Sequence, residues 1–109
     1  MGRPRAIGYL RRDVSRIRQR WDEEQIRSLA ALFGYDLAKT VTFGPHTDRP
    51  VARLCVVVVE SAAVAVFTPS VVHFDGGVVP GELIRVADVV TVDDHDTYAS
   101  SDHRAALNR

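Results

Sequence analysis

The chemistry in this chain of 109 residues gathers just after its first apolar run. Arg11, Arg12, Arg16, Arg18 and Arg20 lie within ten residues, with one acid, Asp13, among them. Guanidinium groups at that density suit an anion, because each offers a planar fork of N–H donors to a phosphate or carboxylate. The matching partners are a nucleic acid backbone or an acidic protein surface, and the plain alternative is a solvated loop. Ser15 is the hydroxyl inside this stretch. A hydroxyl is a weak nucleophile until something activates it, and a loop or capping role is the commoner use of serine. Trp21 follows, able to stack on a ligand or to pack.

Other groups suggest less. Asp93-Asp94-His95-Asp96 has hard and borderline metal ligands, but consecutive residues do not converge on one ion without a fixed backbone. His46, His73 and His103 show no helical spacing for zinc. No metal is expected. Cys55, the single cysteine, reads as a small core residue and forbids an internal disulfide. Gly76-Gly77 alone matches no dinucleotide or phosphate-loop fingerprint, and no cofactor is expected.

The elements that must place these groups are legible in the hydrophobic pattern. Residues 6–10 form a first strand, and the basic stretch leaves its carboxyl end, where open α/β sheets keep their ligand crevice. Val14, Ile17 and Trp21 are spaced as a weak helix or a packed loop. A helix then starts with Asp22 as cap and Gln25 at the capping-box position. Ile26, Leu29, Ala30 and Phe33 make its apolar stripe, and Gly34 ends it. Residues 35–43 alternate as a second strand, with Tyr35, Leu37, Val41 and Phe43 on one face. A second helix runs from about Asp48 to Ser61, with Pro50 in its first turn. The run Val56-Val57-Val58-Val59 prefers a strand, but a parallel sheet needs a crossover of about this length. Residues 62–67 are apolar enough for a central strand. A loop bent at Gly76-Gly77 leads to a short helix with Leu83, Ile84 and Ala87 inward, and residues 88–92 make the fourth strand. The expected architecture is α/β, a small three-layer, doubly wound, mostly parallel flavodoxin-like sheet of about four strands and three helices.

Several of these segments resemble the N-terminal catalytic domain of the serine recombinases, the resolvases and invertases. They are Ala6-Ile7-Gly8-Tyr9-Leu10-Arg11, Glu24-Gln25 leading the first helix, Gly34-Tyr35-Asp36, and Asp48-Arg49-Pro50 with Arg53-Leu54, in that order. The resemblance spans residues 6–92. It implies DNA cutting and rejoining, in which a serine after the first strand attacks a phosphodiester and arginines hold the phosphate. The family pattern Tyr-x-Arg-Val-Ser reads here Tyr9-Leu10-Arg11-Arg12-Asp13. Arg11 matches the first catalytic arginine, while an acid that would repel phosphate holds the nucleophile position. Val14-Ser15 comes two residues late. The second motif, Asp-Arg-Leu-x-Arg, is replaced by Pro69-Ser70-Val71-Val72-His73. His73 carries charge only partly at neutral pH, and each lost preorganised donor costs about 3 kcal/mol of transition-state stabilisation.

Totals bound the rest. Formal net charge is zero, with eight arginines against four acids in residues 1–27 and seven acids against three arginines in residues 75–109. The whole molecule therefore has no bias toward nucleic acid or membrane. One cysteine and no apolar leader suit the cytoplasm. The expected organisation is a flexible start at 1–5, one α/β domain at 6–92 and an acidic, disordered tail at 93–109. The expected function is that of a stand-alone resolvase-like domain, catalytically inactive, binding nucleic acid or protein through its arginine face, with a homodimer as one partner form. The alternatives are an active serine recombinase using Ser15 and Arg11, and a flavodoxin-like module for a phosphate or small molecule.

Overall fold

The computed structural model describes residues 2–99. Its elements are β1 (Arg5–Arg11), α1 (Arg12–Ser15), α2 (Gln19–Leu32), β2 (Asp36–Phe43), α3 (Pro50–Glu60), β3 (Ala65–Thr68), α4 (Gly81–Val86), β4 (Asp88–Thr91) and β5 (Thr97–Tyr98). The sheet order is β2-β1-β3-β4-β5, parallel except for β5. This is the small flavodoxin-like α/β fold the pattern predicts. The chain reverses direction across the sheet between β1 and β3, so the crevice opens beyond their carboxyl ends.

Two cores fill the two faces. Ala6, Leu10, Ile26, Leu29, Ala30 and Phe67 lie between the sheet and α2. Ile7, Tyr9, Leu54, Val58, Val66 and Leu83 lie between the sheet and the α3–α4 layer. The valine-rich segment is helical, as the crossover demands. Leu54 and Val58 are buried on its inner stripe, while Val56 and Val59 face out. Cys55 packs at the edge of that core, and burial pushes its thiol pKa up.

At Gly8, side chains of α2 and β2 crowd against β1. A Cβ there would sit 2.8 Å from Ile26 Cγ2 and 2.7 Å from Thr40 Oγ1. Gly8→Ala is therefore expected to cost about 1–3 kcal/mol by overpacking, read from a denaturant melt.

The structure revises four local expectations and decides a fifth, the basic stretch left open between weak helix and packed loop. Asp22 does not cap the first long helix. That helix starts at Gln19, and Asp22 is buried within its first turn. The basic stretch before it is one turn of α1 followed by a 3₁₀ turn at Arg16–Arg18. Tyr35 and Leu37 do not share a face with Val41 and Phe43. Ala6 pairs with Leu37 but Ile7 with Lys39, so β2 carries one extra residue there. A one-residue slip sends every later side chain to the opposite face. Tyr35 and Leu37 accordingly pack toward α2, Val41 and Phe43 toward α3. The chain start is tied down from residue 4, because the Asp36 N–H donates to the Pro4 carbonyl at 2.8 Å and β1 begins at Arg5. Finally, the acidic segment after Asp93 turns back. Thr97 and Tyr98 pair antiparallel with Val90 and Val89, covering the free edge of β4. The remainder of the expected tail, residues 100–109, lies outside the described residues.

Candidate functional site

β1 alternates strictly at its carboxyl end. Tyr9 and Arg11 point to the α3–α4 face, and Leu10 points to α2. The peptide that leaves β3 passes through Pro69 and Ser70, where the Ser70 hydroxyl accepts from the Val72 N–H at 3.3 Å. The turn this starts, Val71–His73, folds His73 back against β1.

His73 is buried, and its Nδ1 accepts the Arg11 backbone N–H at 2.9 Å. That acceptor role requires a neutral ring. Burial first, and then the Arg11 charge, hold its pKa below the ordinary value, against opposing pulls from Asp22 and Asp13. His73 therefore does not supply the partial charge considered for it. Tyr9 donates its hydroxyl to the His73 carbonyl at 2.7 Å, and burial pushes the phenol up to about 12.

The lowered histidine pKa has a stability consequence. At pH values near and below the unfolded value of 6.5, the unfolded chain binds the proton more readily than the folded one. The stabilising contribution is complete above that pH and is lost as pH falls through the folded pKa. The denaturation midpoint should fall on acidification below about pH 6.5, and His73→Asn, which keeps an acceptor without titrating, should flatten that slope.

Arg11 is closed by carboxylates. Its Nε and Nη2 donate to the two oxygens of Asp13 at 3.1 and 2.8 Å, and Nη1 donates to Asp75 Oδ1 at 2.7 Å. The bond with Asp13 is the main reason the guanidinium pKa rises, and the same bond lowers that of Asp13. The acid in the nucleophile position of the recombinase pattern thus occupies the Nε–Nη2 edge of Arg11.

Ser15 is buried and lies on the other face. Its Oγ donates to Asp22 Oδ2 at 2.6 Å. The hollow beside it is lined by Val14, Arg18, Trp21, Ser70, Val92 and Asp93. A carboxylate, not a set of cations, holds the hydroxyl, and a second carboxylate stands nearby. An incoming phosphodiester would meet repulsion there.

The other arginines diverge. Arg12 starts α1, and its guanidinium lies over Gly44, where an added Cβ would be 2.5 Å from Nη2. Arg16 Nε donates to the Asp13 carbonyl at 3.2 Å. Arg18 lies 4.7 Å from the centre of the Trp21 ring, a cation–π distance, and Arg20 is exposed on α2. Beside them Ile17 is 100% exposed and Trp21 52% exposed. Arg16 holds this turn at φ 53°, ψ −125°, a backbone region that costs a residue with a Cβ about 1–3 kcal/mol.

Sequence reasoning named Arg11 and His73 on the α3–α4 side of the crevice but missed the groups around them. A cleft of about 400 Å³ there is lined by Tyr9, Arg11, Phe43, Leu54, Phe74 and Asp75, among others. Tyr9 stacks on Phe74 at 5.1 Å and meets the edge of Phe43 at 5.7 Å. The alternation of β1 signals Tyr9, but nothing local signals Asp75, which is 64 residues from Arg11. Thr68 and Thr91, side by side at the ends of β3 and β4, bury hydroxyls that make no hydrogen bond among the described residues. Among those residues no three His, Cys, Asp or Glu side chains group as metal ligands, and no helix is long and apolar enough to cross a membrane.

Fold and site together define a flavodoxin-like α/β domain whose crevice arginine is internally neutralised. No protein-family model matches the chain, and no curated protein matches it.

Proposed function

We propose that this is a non-catalytic relative of the serine-recombinase catalytic domain that works by binding an acidic protein surface. The observation that carries this reading is the pairing of Arg11 with Asp13 and Asp75, beside a Ser15 hydroxyl bonded to Asp22. A phosphoryl-transfer site needs the reverse arrangement, with cations around the hydroxyl and the phosphate. A cytoplasmic location belongs to the same reading.

The binding surface is the turn from Arg12 to Trp21. It offers Ile17 and Trp21 as apolar anchors, with Arg16, Arg18 and Arg20 around them. Tryptophan and arginine around an apolar centre are the usual makings of an interface hot spot. Arg16, at positive φ, ends α1 with its N–H on the Arg12 carbonyl and leaves the next residue, Ile17, in solvent. Nucleic acid is the second reading, favoured by the Arg18–Trp21 pair, which could stack on a base.

Fluorescence anisotropy with an acidic, leucine-containing peptide and with single-stranded and duplex DNA, each over a salt series, separates the two. Peptide binding that weakens only modestly with salt and is lost in Ile17→Ser supports the protein reading. DNA binding that falls steeply with salt favours nucleic acid. A covalent protein–DNA product that disappears in Ser15→Ala would overturn the non-catalytic reading.

A further inference from the structure

We infer that the cleft between β1, α3 and α4 binds a small aromatic monocarboxylic acid, whose carboxylate takes the place of Asp75 on Arg11. This goes beyond the proposed partner surface, because it uses a different side of the crevice.

The cleft, about 400 Å³, falls in the range of small-molecule sites. Its walls are largely apolar. Tyr9, Phe43 and Phe74 supply aromatic surface, the buried Leu54 lines it as well, and Pro45 and Pro80 come from two separate loops. The body of the ligand is therefore flat and apolar. Tyr9 does not compete for its polar end, since its hydroxyl is committed to the His73 carbonyl, and His73 Nδ1 is committed to the Arg11 backbone.

Arg11 sets the charge of the ligand. Its side chain is only 19% exposed and borders the cleft. Asp13 uses the Nε–Nη2 edge with both oxygens, whereas the end-on Nη1–Nη2 edge receives one oxygen of Asp75. A ligand carboxylate can take that edge with two parallel bonds. Asp75 is placed to give way. Its side chain is 85% exposed, so its ion pair contributes little net stability. It also precedes Gly76 and Gly77, both at positive φ (71° and 66°), in a turn without side chains to hold it. A second cation stands at the rim, because Gly44 lines the cleft and carries the Arg12 guanidinium against its Cα.

The probe is 2-naphthoate, with 2-naphthamide as the uncharged control of the same shape, titrated into the full chain by calorimetry and by amide NMR shifts. The naphthoate should bind, shifting residues of β1, the 71–79 loop and the start of α3, and the amide should bind at least about tenfold more weakly. Asp75→Ala should tighten naphthoate about threefold or more by removing the competitor. Arg11→Gln should weaken it about tenfold or more. Val51→Trp, which fills the cleft from its rim, should abolish binding without touching the ion pairs, and so keeps the test valid if Arg11→Gln fails to fold. Equal affinity for acid and amide, no tightening in Asp75→Ala, or unchanged binding in Val51→Trp would each overturn the inference. None of these outcomes bears on the peptide and DNA experiment above.

Discussion

Phe67→Ala should be the most damaging single truncation, costing about 3–5 kcal/mol. Phe67 is fully buried in β3, paired with Gly8 of β1 and Val90 of β4. Its ring meets the edge of Phe33 at 6.0 Å and of Tyr35 at 5.3 Å. Phe33 follows the last turn of α2 and Tyr35 leads into β2, so one side chain fastens a helix end and the next strand to the sheet. Removing it leaves a cavity that the two neighbouring strands cannot collapse into, because their backbones are held by the ladder. A loss of this size is a large share of the roughly 5–15 kcal/mol that keeps a domain folded. Phe67→Leu keeps most of the volume and should cost below about 1.5 kcal/mol. Urea melts of the two variants decide the matter, and a Phe67→Ala loss under about 1 kcal/mol would mean the ring does not hold these elements together.

Ser15→Ala should produce the second large effect, about 1.5–3 kcal/mol, the usual worth of a hydrogen bond to a charged group. The substitution removes a donor at 2.6 Å and leaves the Asp22 carboxylate buried without it. Asp22→Asn should cost less, since its side-chain oxygen still accepts from Ser15. In the double variant the two losses should not add, because each removes the same bond. A catalytic serine held loosely for attack predicts the opposite, with Ser15→Ala close to neutral for stability. The melt therefore tests whether the bond of Ser15 to Asp22 is structural, independently of any activity assay.

Much of the fold was legible because its signals are local. The Ile26–Leu29–Ala30 part of the stripe and the left-handed Gly34 sit where periodicity and terminators put them. Phe33, by contrast, lies just past the helix end and is 41% exposed, and β3 begins at Ala65 rather than at residue 62, because Ala62 is still in the turn at φ 54°. The helix over Pro50–Glu60 has a helical stripe in Val51, Leu54, Cys55 and Val58, but its valine run argued for a strand, and the need for a crossover decided between them. β5 was illegible, because two residues after an acidic turn carry no pattern. The role of Asp22 was misread for a related reason. A capping residue and a buried acceptor in the first helical turn look alike until the start of the helix is known.

By itself, the sequence determined the order of elements, the helix stripes and the concentration of arginines after β1, because each depends on residues a few positions apart. Only the tertiary structure decided what those arginines meet. The extra residue in β2 turned Phe43 toward the cleft, and β1 met the loop more than sixty residues later, bringing Asp75 and His73 onto Arg11. Charge pairing across such separations follows from packing and register, which no local pattern encodes.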